Sequence, residues 1–442
     1  MLETLKNMFK VPEIRKRFIF TFFIIVVFRL GGQIPTPGID PKLLQSFFGS
    51  SSNNLFGMLD MFVGGAFTKA SVFSLGVMPY ISASIIIQML GSVVPSLHKL
   101  QKEGQEGRKK ITQLTRYGTL ILAAFQSISV AIFLRSIQVQ TEQGSVGVVL
   151  DILSGWQFMA ITVISLTTGC MLVMWLGEQI TGNGIGNGMS LLILFGIVAG
   201  LPQAVVAQSQ LLAGKQSGLF NGVMILGIVL AMTAFIVYIY QAVRKIPIQT
   251  PKKTIGSRVA QGQSTVLPLK INSAGVIPII FASSLMMLPS ILTGIAPESD
   301  WARDVAMMFA PGAAVYVASF ALLIVFFTYF YTAIIFNPID ISENLKKSGG
   351  FIPGVRPGKE TADYIEKVLN CITLPGAVFL AFISVAPFVM MDKLGVSFFF
   401  GGTSVLIVVG VALDTLQRIE AKLQSHNYSG FMKKGHLRGR IG

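Results

Sequence analysis

Ionisable residues and cysteines are scarce in this sequence. Charged residues make up only 12% of the 442 residues, whereas hydrophobic residues make up 52%. This balance excludes a soluble globular domain and predicts a polytopic membrane protein. Cys170 and Cys371 lie in apolar runs and indicate no disulfide framework. His98, His426 and His436 lack the spacing of metal ligands, and no nucleophile motif is present, so we expect no enzyme, metal or cofactor.

Charges are also nearly absent from the apolar runs themselves. Arg29 is the residue that lies clearly inside one, near its outer end, while Asp151, Glu178 and Asp414 sit at run ends. A charge at the bilayer centre costs at least about 2.5–3.5 kcal/mol, and ion-coupled transporters accept that cost for their relays. The shortage therefore argues against a proton- or sodium-coupled pump.

Ten apolar stretches are present, and most approach the roughly 20 residues that a helix needs to cross a bilayer. They predict an all-α polytopic membrane protein with ten transmembrane helices. The stretches cover residues 18–34, 70–94, 117–134, 152–177, 185–200, 218–243, 271–293, 312–336, 368–390 and 402–413.

Lysine and arginine are sorted to alternate gaps between these stretches. Of 35 such residues, 28 lie in the N-terminus, in the gaps 95–116, 244–270 and 337–367, and in the tail. The positive-inside rule therefore places both termini and these gaps in the cytoplasm. Topology and anionic lipids then explain most of the net charge of +15, and we expect no DNA partner. The surplus in the long basic segments still allows an acidic or RNA-bearing partner.

The same pattern divides the chain into segments. We expect a cytoplasmic N-terminus at 1–17, an N-terminal half at 18–205, a C-terminal half at 216–416 and a loosely ordered cytoplasmic tail at 417–442. The long basic gaps 244–270 and 337–367 exceed simple turns, which favours docking loops.

An internal repeat relates the two halves. The segment GVMPYISAS at 76–84 matches GVIPIIFAS at 275–283 in six of nine positions. Five helices separate the copies, and the charge pattern gives them opposite orientations. This predicts two inverted pseudo-symmetric halves of five helices, with the functional site at their interface.

The polar residues of the spans are mainly hydroxyls and amides, which form modest interhelical hydrogen bonds in membranes. Aliphatic residues at the repeat interface could narrow a pore and exclude water without charge. The stretch 55–67 is too short to span, so it is either a re-entrant segment or a surface-lying turn.

Several motifs together resemble the SecY family, the central subunits of bacterial protein-conducting channels, over essentially the whole chain. The motifs are IPTPGID at 34–40, MFVGGAF at 61–67, GVMPYISASIIIQML at 76–90, EGRKKITQLTRYGT at 106–119, MWLGEQITGNGIGNGMSL at 174–191, QSTVLPLKINSAGVIPIIFASS at 263–284, FYTAIIFNP at 330–338, NLKKSGGFIPGVRPGKETADYI at 344–365 and FGGTSVLIVV at 400–409.

The resemblance implies a central pore between the halves. Its constriction ring would consist of Val77, Ile81, Ile193, Ile280 and Ile407, with Val77 standing where the family more usually has isoleucine. The segment 55–67 would be a plug that blocks the outer funnel, with the residues Leu55, Asp60, Met61, Phe62, Gly64, Gly65 and Phe67.

A lateral gate and a docking surface are implied as well. Spans two and three would meet seven and eight at the gate, which would carry Ser82, Ser84, Gln88, Gln126, Ser283 and Ser284. Cytoplasmic partners would dock on Arg356, Lys346, Lys347 and Arg258. The implied partners are SecE, SecG, the SecA ATPase, the ribosome, signal sequences and nascent polypeptides.

The function expected on this basis is passive translocation of unfolded secretory polypeptides across the plasma membrane, and lateral insertion of membrane proteins, driven by SecA or the ribosome. A small-solute secondary transporter is the alternative, since ten spans and inverted repeats allow it. The missing intramembrane charges and the long basic loops disfavour it. A purely structural membrane protein fits the Gly- and Pro-rich interior least.

Overall fold

The computed structural model of the chain describes residues 11–50, 60, 63–141, 144–150, 154–213, 219–249, 253–255, 258–260, 264–286, 289, 300–310, 312–394 and 402–434. Helices dominate this part. In chain order they are α1 (Pro12–Gly31), α2 (Pro41–Ser50), α3 (Met78–Val93), α4 (Pro95–Lys102), α5 (Gly104–Ser136), α6 (Gly155–Asn183), α7 (Gly188–Ala213), α8 (Leu219–Gln241), α9 (Ile277–Met286), α10 (Asp300–Met308), α11 (Ala314–Ile335), α12 (Pro338–Lys347), α13 (Lys359–Leu394) and α14 (Gly402–Lys434).

Each of the ten predicted apolar stretches overlaps a helix of the described part, namely α1, α3, α5 to α9, α11, α13 and α14. Six of them (α5, α6, α8, α11, α13 and α14) are long and apolar enough to cross a membrane. A seventh span results if α3 and α4, which bend by 106° at their junction, count as one. Shorter apolar helices cover Gly188–Pro202 and Ile277–Met286. The chain is a multi-pass membrane protein.

The outer faces of the helices are apolar, as lipid contact requires. Helix α8 is the clearest case, because Val223, Leu226 and Leu230 are each at least 61% exposed. In water such a continuous face would be unfavourable, whereas hydrocarbon accepts it without a penalty.

The second and seventh spans begin later than the sequence predicts. Residues 70–77 and 271–276 form turns, and the helices start at Met78 and Ile277. In both copies of the repeat a glycine with positive φ precedes the helix, at 53° for Gly76 and 67° for Gly275. A proline then occupies the second helical position, where its missing N–H costs nothing. The two copies of the repeat therefore share one backbone geometry.

Short antiparallel hairpins occur in the loops of this helical membrane protein. Strands β1 (Gln138–Thr141) and β2 (Gly144–Gly147) pair with each other. In the first predicted docking loop, β3 (Val243–Gln249) pairs with β6 (Ser264–Lys270), while β4 (Lys253–Ile255) pairs with β5 (Arg258–Ala260).

The predicted loosely ordered tail is wrong in part, because α14 continues from the last span to Lys434. The part of α14 beyond the apolar stretch is anchored by a small apolar cluster in which Ile419 and Leu423 pack with Ile14 and Ile185. The helix therefore leaves the apolar stretch without a break, since packing continues where hydropathy falls.

The main core lies between the halves. A single apolar cluster includes buried residues of α1, α3, α6 and α7 together with residues of α8, α9, α11, α13 and α14. Both halves of the repeat thus share one core, and this core holds the candidate site.

Candidate functional site

The five aliphatic residues predicted for a constriction come from different elements of both halves. Val77 precedes α3, Ile81 lies in its first turn, and Ile193, Ile280 and Ile407 belong to α7, α9 and α14. All five are buried, with 0–6% of their surface exposed, and all belong to the main core cluster. They therefore face the protein interior, away from the lipid-exposed surfaces.

A polar link joins the two repeat helices. The Oγ atoms of Ser82 in α3 and Ser284 in α9 share a hydrogen bond. Ser82 also donates to the carbonyl oxygen of Met78 at 3.2 Å as an alternative. The Ser82 hydroxyl can therefore bond either across to the other half or within its own helix.

Three of the other predicted gate residues, Ser84, Gln88 and Ser283, bond within their own helices. Gln88 Nε2 donates to Ser84 Oγ at 3.0 Å within α3. Ser283 Oγ donates to the Ile279 carbonyl at 2.8 Å within α9. Gln126 is buried in α5, and its Oε1 has no partner among the described residues. Of the six candidates, Ser82 and Ser284 are the pair that bonds between the two repeat helices.

Asp60 organises the turn at residues 64–70. Asp60 Oδ1 accepts hydrogen bonds from the backbone N–H groups of Phe67 at 2.7 Å and Thr68 at 3.2 Å. Its own carbonyl accepts from Gly65 N at 2.9 Å. Burial raises the pKa of the Asp60 carboxyl, and hydrogen bonds from Thr68 and Phe67 partly oppose that rise. Leu55, Met61 and Phe62 lie outside the described residues.

This turn is fixed to both neighbouring spans. Arg29 Nη1 in α1 donates to the Gly64 carbonyl at 3.2 Å. Gly64 has φ of 72°, and a Cβ atom there would lie 2.6 Å from the carbonyl oxygen of Gly196 in α7. Phe67 packs its ring edge-on against Phe48 at 5.7 Å. Sequence reasoning noted Arg29 as an isolated charge but did not identify the carbonyl it binds.

The two predicted docking loops form one unit. Gln249 in β3 and Phe351 exchange two backbone hydrogen bonds of 2.9 Å. Below them, Ile246 and Leu269 pack with Ile352 and with the start of α13. This apolar base holds both loops in one orientation.

The candidate docking cations lie on that unit. Lys346 and Lys347 are exposed on α12, where Lys347 forms an ion pair with Glu343 at 3.6 Å. Arg356 is exposed, and its carbonyl accepts a hydrogen bond of 2.7 Å from Thr361 Oγ1. Arg258 belongs to β5. Arg356 thus sits on a loop whose backbone is tied down while its guanidinium faces solvent.

Comparison with known proteins agrees with this architecture. The family model described as SecY matches residues 71–416. Relatives named protein translocase subunit SecY are 45% identical in Escherichia coli strain K12, over 97% of this chain and 96% of the relative, and 43% identical in Aquifex aeolicus, over 98% and 100%.

Solved structures share the fold at low sequence identity. A protein-conducting channel is 16% identical with a TM-score of 0.63, over 95% of this chain and 96% of that one. Sec61 in the canine ribosome-channel complex is 15% identical with a TM-score of 0.59, over the same shares. Because the family model and the relatives both cover most of its length, the chain belongs to the SecY family.

Proposed function

We propose that this chain is the channel-forming subunit of a protein translocase in a bacterial plasma membrane. It would pass unfolded secretory polypeptides across the membrane and release apolar segments sideways into lipid. The observation that carries the proposal is the 45% identity, over nearly the full chain, to proteins named protein translocase subunit. The proposal is also supported by the buried aliphatic residues that both halves contribute, because such residues could seal a pore.

The seal in this proposal is a dewetted constriction. Val77, Ile81, Ile193, Ile280 and Ile407 would form a ring around the pore axis. Aliphatic side chains at a narrow point exclude water and ions without any charge. They would part around a passing chain and close behind it. The segment around Asp60 and Gly64 would act as a plug on the outer side.

The lateral gate would open between α3 and α9. Polar contacts between helices in a membrane contribute about 0.6 kcal/mol on average, so the Ser82–Ser284 bond closes this seam only weakly. A signal sequence entering the seam could replace that bond with apolar contacts. Spans three and eight, here α5 and α11, would flank the opening.

The energy for translocation would come from partner proteins, because the proposed channel is passive and is not itself an enzyme. SecA or a translating ribosome would dock on the joined loops through Arg356, Lys346, Lys347 and Arg258, and both termini would lie on that cytoplasmic side. A similar fold occurs in a channel complex bound to the ribosome. SecE and SecG would accompany the chain in the membrane, and anionic lipids would contact its basic cytoplasmic edge.

Crosslinking of a stalled precursor tests the proposal. A photo-reactive residue at Ile81, Ile193 or Ile280 should capture the arrested polypeptide in reconstituted vesicles. The same residue at Leu322, which is 68% exposed on α11, should capture lipid instead. If none of the three ring probes captured the polypeptide, and the vesicles took up a small solute saturably, a secondary transporter would be favoured.

A further inference from the structure

A groove of about 880 Å³ lies between α11, α12 and α13, and its lining includes none of the candidate ring residues and no residue of α3 or α9. Its wall is aromatic and apolar, with Phe326, Phe330, Phe336 and Leu369. The rings of Phe326 and Phe330 stack with their centroids 6.1 Å apart. The groove therefore offers a continuous apolar surface at the end of a membrane span.

The mouth of the same groove carries charges of both signs. Lys346 and Lys359 contribute two positive charges, Asp363 and Glu366 contribute two negative ones, and Glu343 pairs with Lys347 at 3.6 Å. The lining is therefore close to charge balance in a chain whose net charge is +15. A ligand that carries both charges would find a partner for each here, whereas a purely anionic ligand would find none for the carboxylates.

The position of the groove restricts what can enter it. Helix α11 ends its apolar run at Ile335, and α12 starts at Pro338 with the charged residues. Ile335 and Ile339 remain exposed at this boundary. The apolar wall is therefore continuous with the lipid-facing surface, and the charged mouth stands where lipid headgroups lie.

We propose that this groove binds a glycerophospholipid with a protonated primary amine in its headgroup. An acyl chain would lie along the phenylalanine wall. The phosphate would accept hydrogen bonds from Lys346 or Lys359, and the ammonium would donate to Asp363 or Glu366. A quaternary ammonium has no N–H to donate, so phosphatidylcholine would bind less well.

A photo-crosslinking experiment tests the site. The full chain is reconstituted with its co-purifying subunits in vesicles of phosphatidylethanolamine, phosphatidylcholine and phosphatidylglycerol, one lipid at a time bearing a diazirine in its acyl chain. We expect the phosphatidylethanolamine probe to label residues 326–336. Ala333→Trp should lower that labelling about tenfold by filling the groove, because the apolar contact is lost. Leu322→Trp, on an exposed part of the same helix, should leave it unchanged.

A second variant tests the headgroup separately from the groove volume. In the double variant Asp363→Asn, Glu366→Gln, labelling by phosphatidylethanolamine should fall to the level of phosphatidylcholine, and labelling by phosphatidylglycerol should rise. Glu360→Gln, one turn away and outside the groove lining, is the matched control. Native mass spectrometry of the detergent-extracted protein should show the same change in retained lipid.

Three results would overturn the proposal. One is equal labelling by all three lipids in the wild type, and another is equal labelling of Ala333→Trp and Leu322→Trp. The third is capture of a companion protein in place of lipid from a photo-reactive residue at Ala333, which would make the groove a docking site for a helix.

Discussion

Ser82 and Ser284 share a hydrogen bond between α3 and α9, the two helices that carry the internal repeat. The pair is separated by 202 residues in sequence, so it joins the two halves of the chain. Both residues lie one turn or less from the buried Ile81 and Ile280. Loss of this bond should therefore affect the packing of the candidate constriction ring.

Loss of this bond should ease opening of the gate. Ser284→Ala removes a contact of about 0.6 kcal/mol, so we expect roughly threefold more translocation of a precursor with a weakened signal sequence. Ser283→Ala is the matched control, because that hydroxyl bonds within its own helix. Equal effects of the two variants would show that the bond across the seam does not hold the gate.

The turn at Gly64 provides a second prediction, because its neighbour is a built-in control. Gly64 and Gly65 both have positive φ, so alanine at either should cost about 1–2 kcal/mol in backbone strain. A Cβ atom at Gly64 also meets the Gly196 carbonyl at 2.6 Å, whereas one at Gly65 meets nothing within 4 Å. Gly64→Ala should therefore release the segment from α7 and raise ion leak above that of Gly65→Ala, measured as conductance of reconstituted bilayers.

The candidate ring makes a third prediction about ion leak. Serine in place of Val77, Ile81, Ile193 or Ile280 should hydrate the constriction and raise resting conductance roughly several-fold. Ile236→Ser tests whether any polar group in the core has this effect, since Ile236 is fully buried in the same cluster but belongs to α8. Unchanged leak in the ring variants would remove these residues from the seal.

The sequence predicted the helices well because hydropathy and charge sorting are strong signals in a membrane protein. The internal repeat could also be recognised from the sequence, and the positive φ of Gly76 and Gly275 explains why glycine occurs at both positions. Whether these helices enclose a pore and where the termini lie remain predictions.

Contacts between distant segments were harder to predict. Arg29 binds a backbone carbonyl, which leaves no side-chain pattern in the sequence. The β3–β6 hairpin was not predicted, and its strands contain Pro247 and Pro268, which are tolerated in edge strands. Nor could composition distinguish Ser284, which crosses the seam, from Ser283, which does not.

An ion pair that the sequence did not reveal gives a fourth prediction. Arg116 in α5 binds Glu178 in α6 through two contacts, Nε to Oε1 at 3.0 Å and Nη2 to Oε2 at 2.7 Å. Because the side chains are 48% and 17% exposed, we expect Arg116→Glu to lower the free energy of unfolding by only about 1 kcal/mol. The swap Arg116→Glu, Glu178→Arg should restore it, measured by thermal unfolding in detergent. Failure of the swap would indicate that each charge acts through other neighbours.

The last prediction concerns the unit formed by the two predicted docking loops. Arg356 is exposed on a loop held by the Gln249–Phe351 hydrogen bonds and the Thr361 contact, so its substitution should not disturb the fold. Arg356→Glu replaces a positively charged hydrogen-bond donor with a negative charge, which would repel an acidic partner surface. We therefore expect SecA-driven translocation to fall more than about tenfold while thermal stability stays unchanged. Lys99→Glu, an exposed cation on α4, makes the same charge change in another basic gap and should reduce translocation far less. A comparable loss in both variants would mean that the partner is recruited by the overall positive charge of the surface. In that case a specific contact at Arg356 would not be needed. Normal export by Arg356→Glu would refute the docking role altogether.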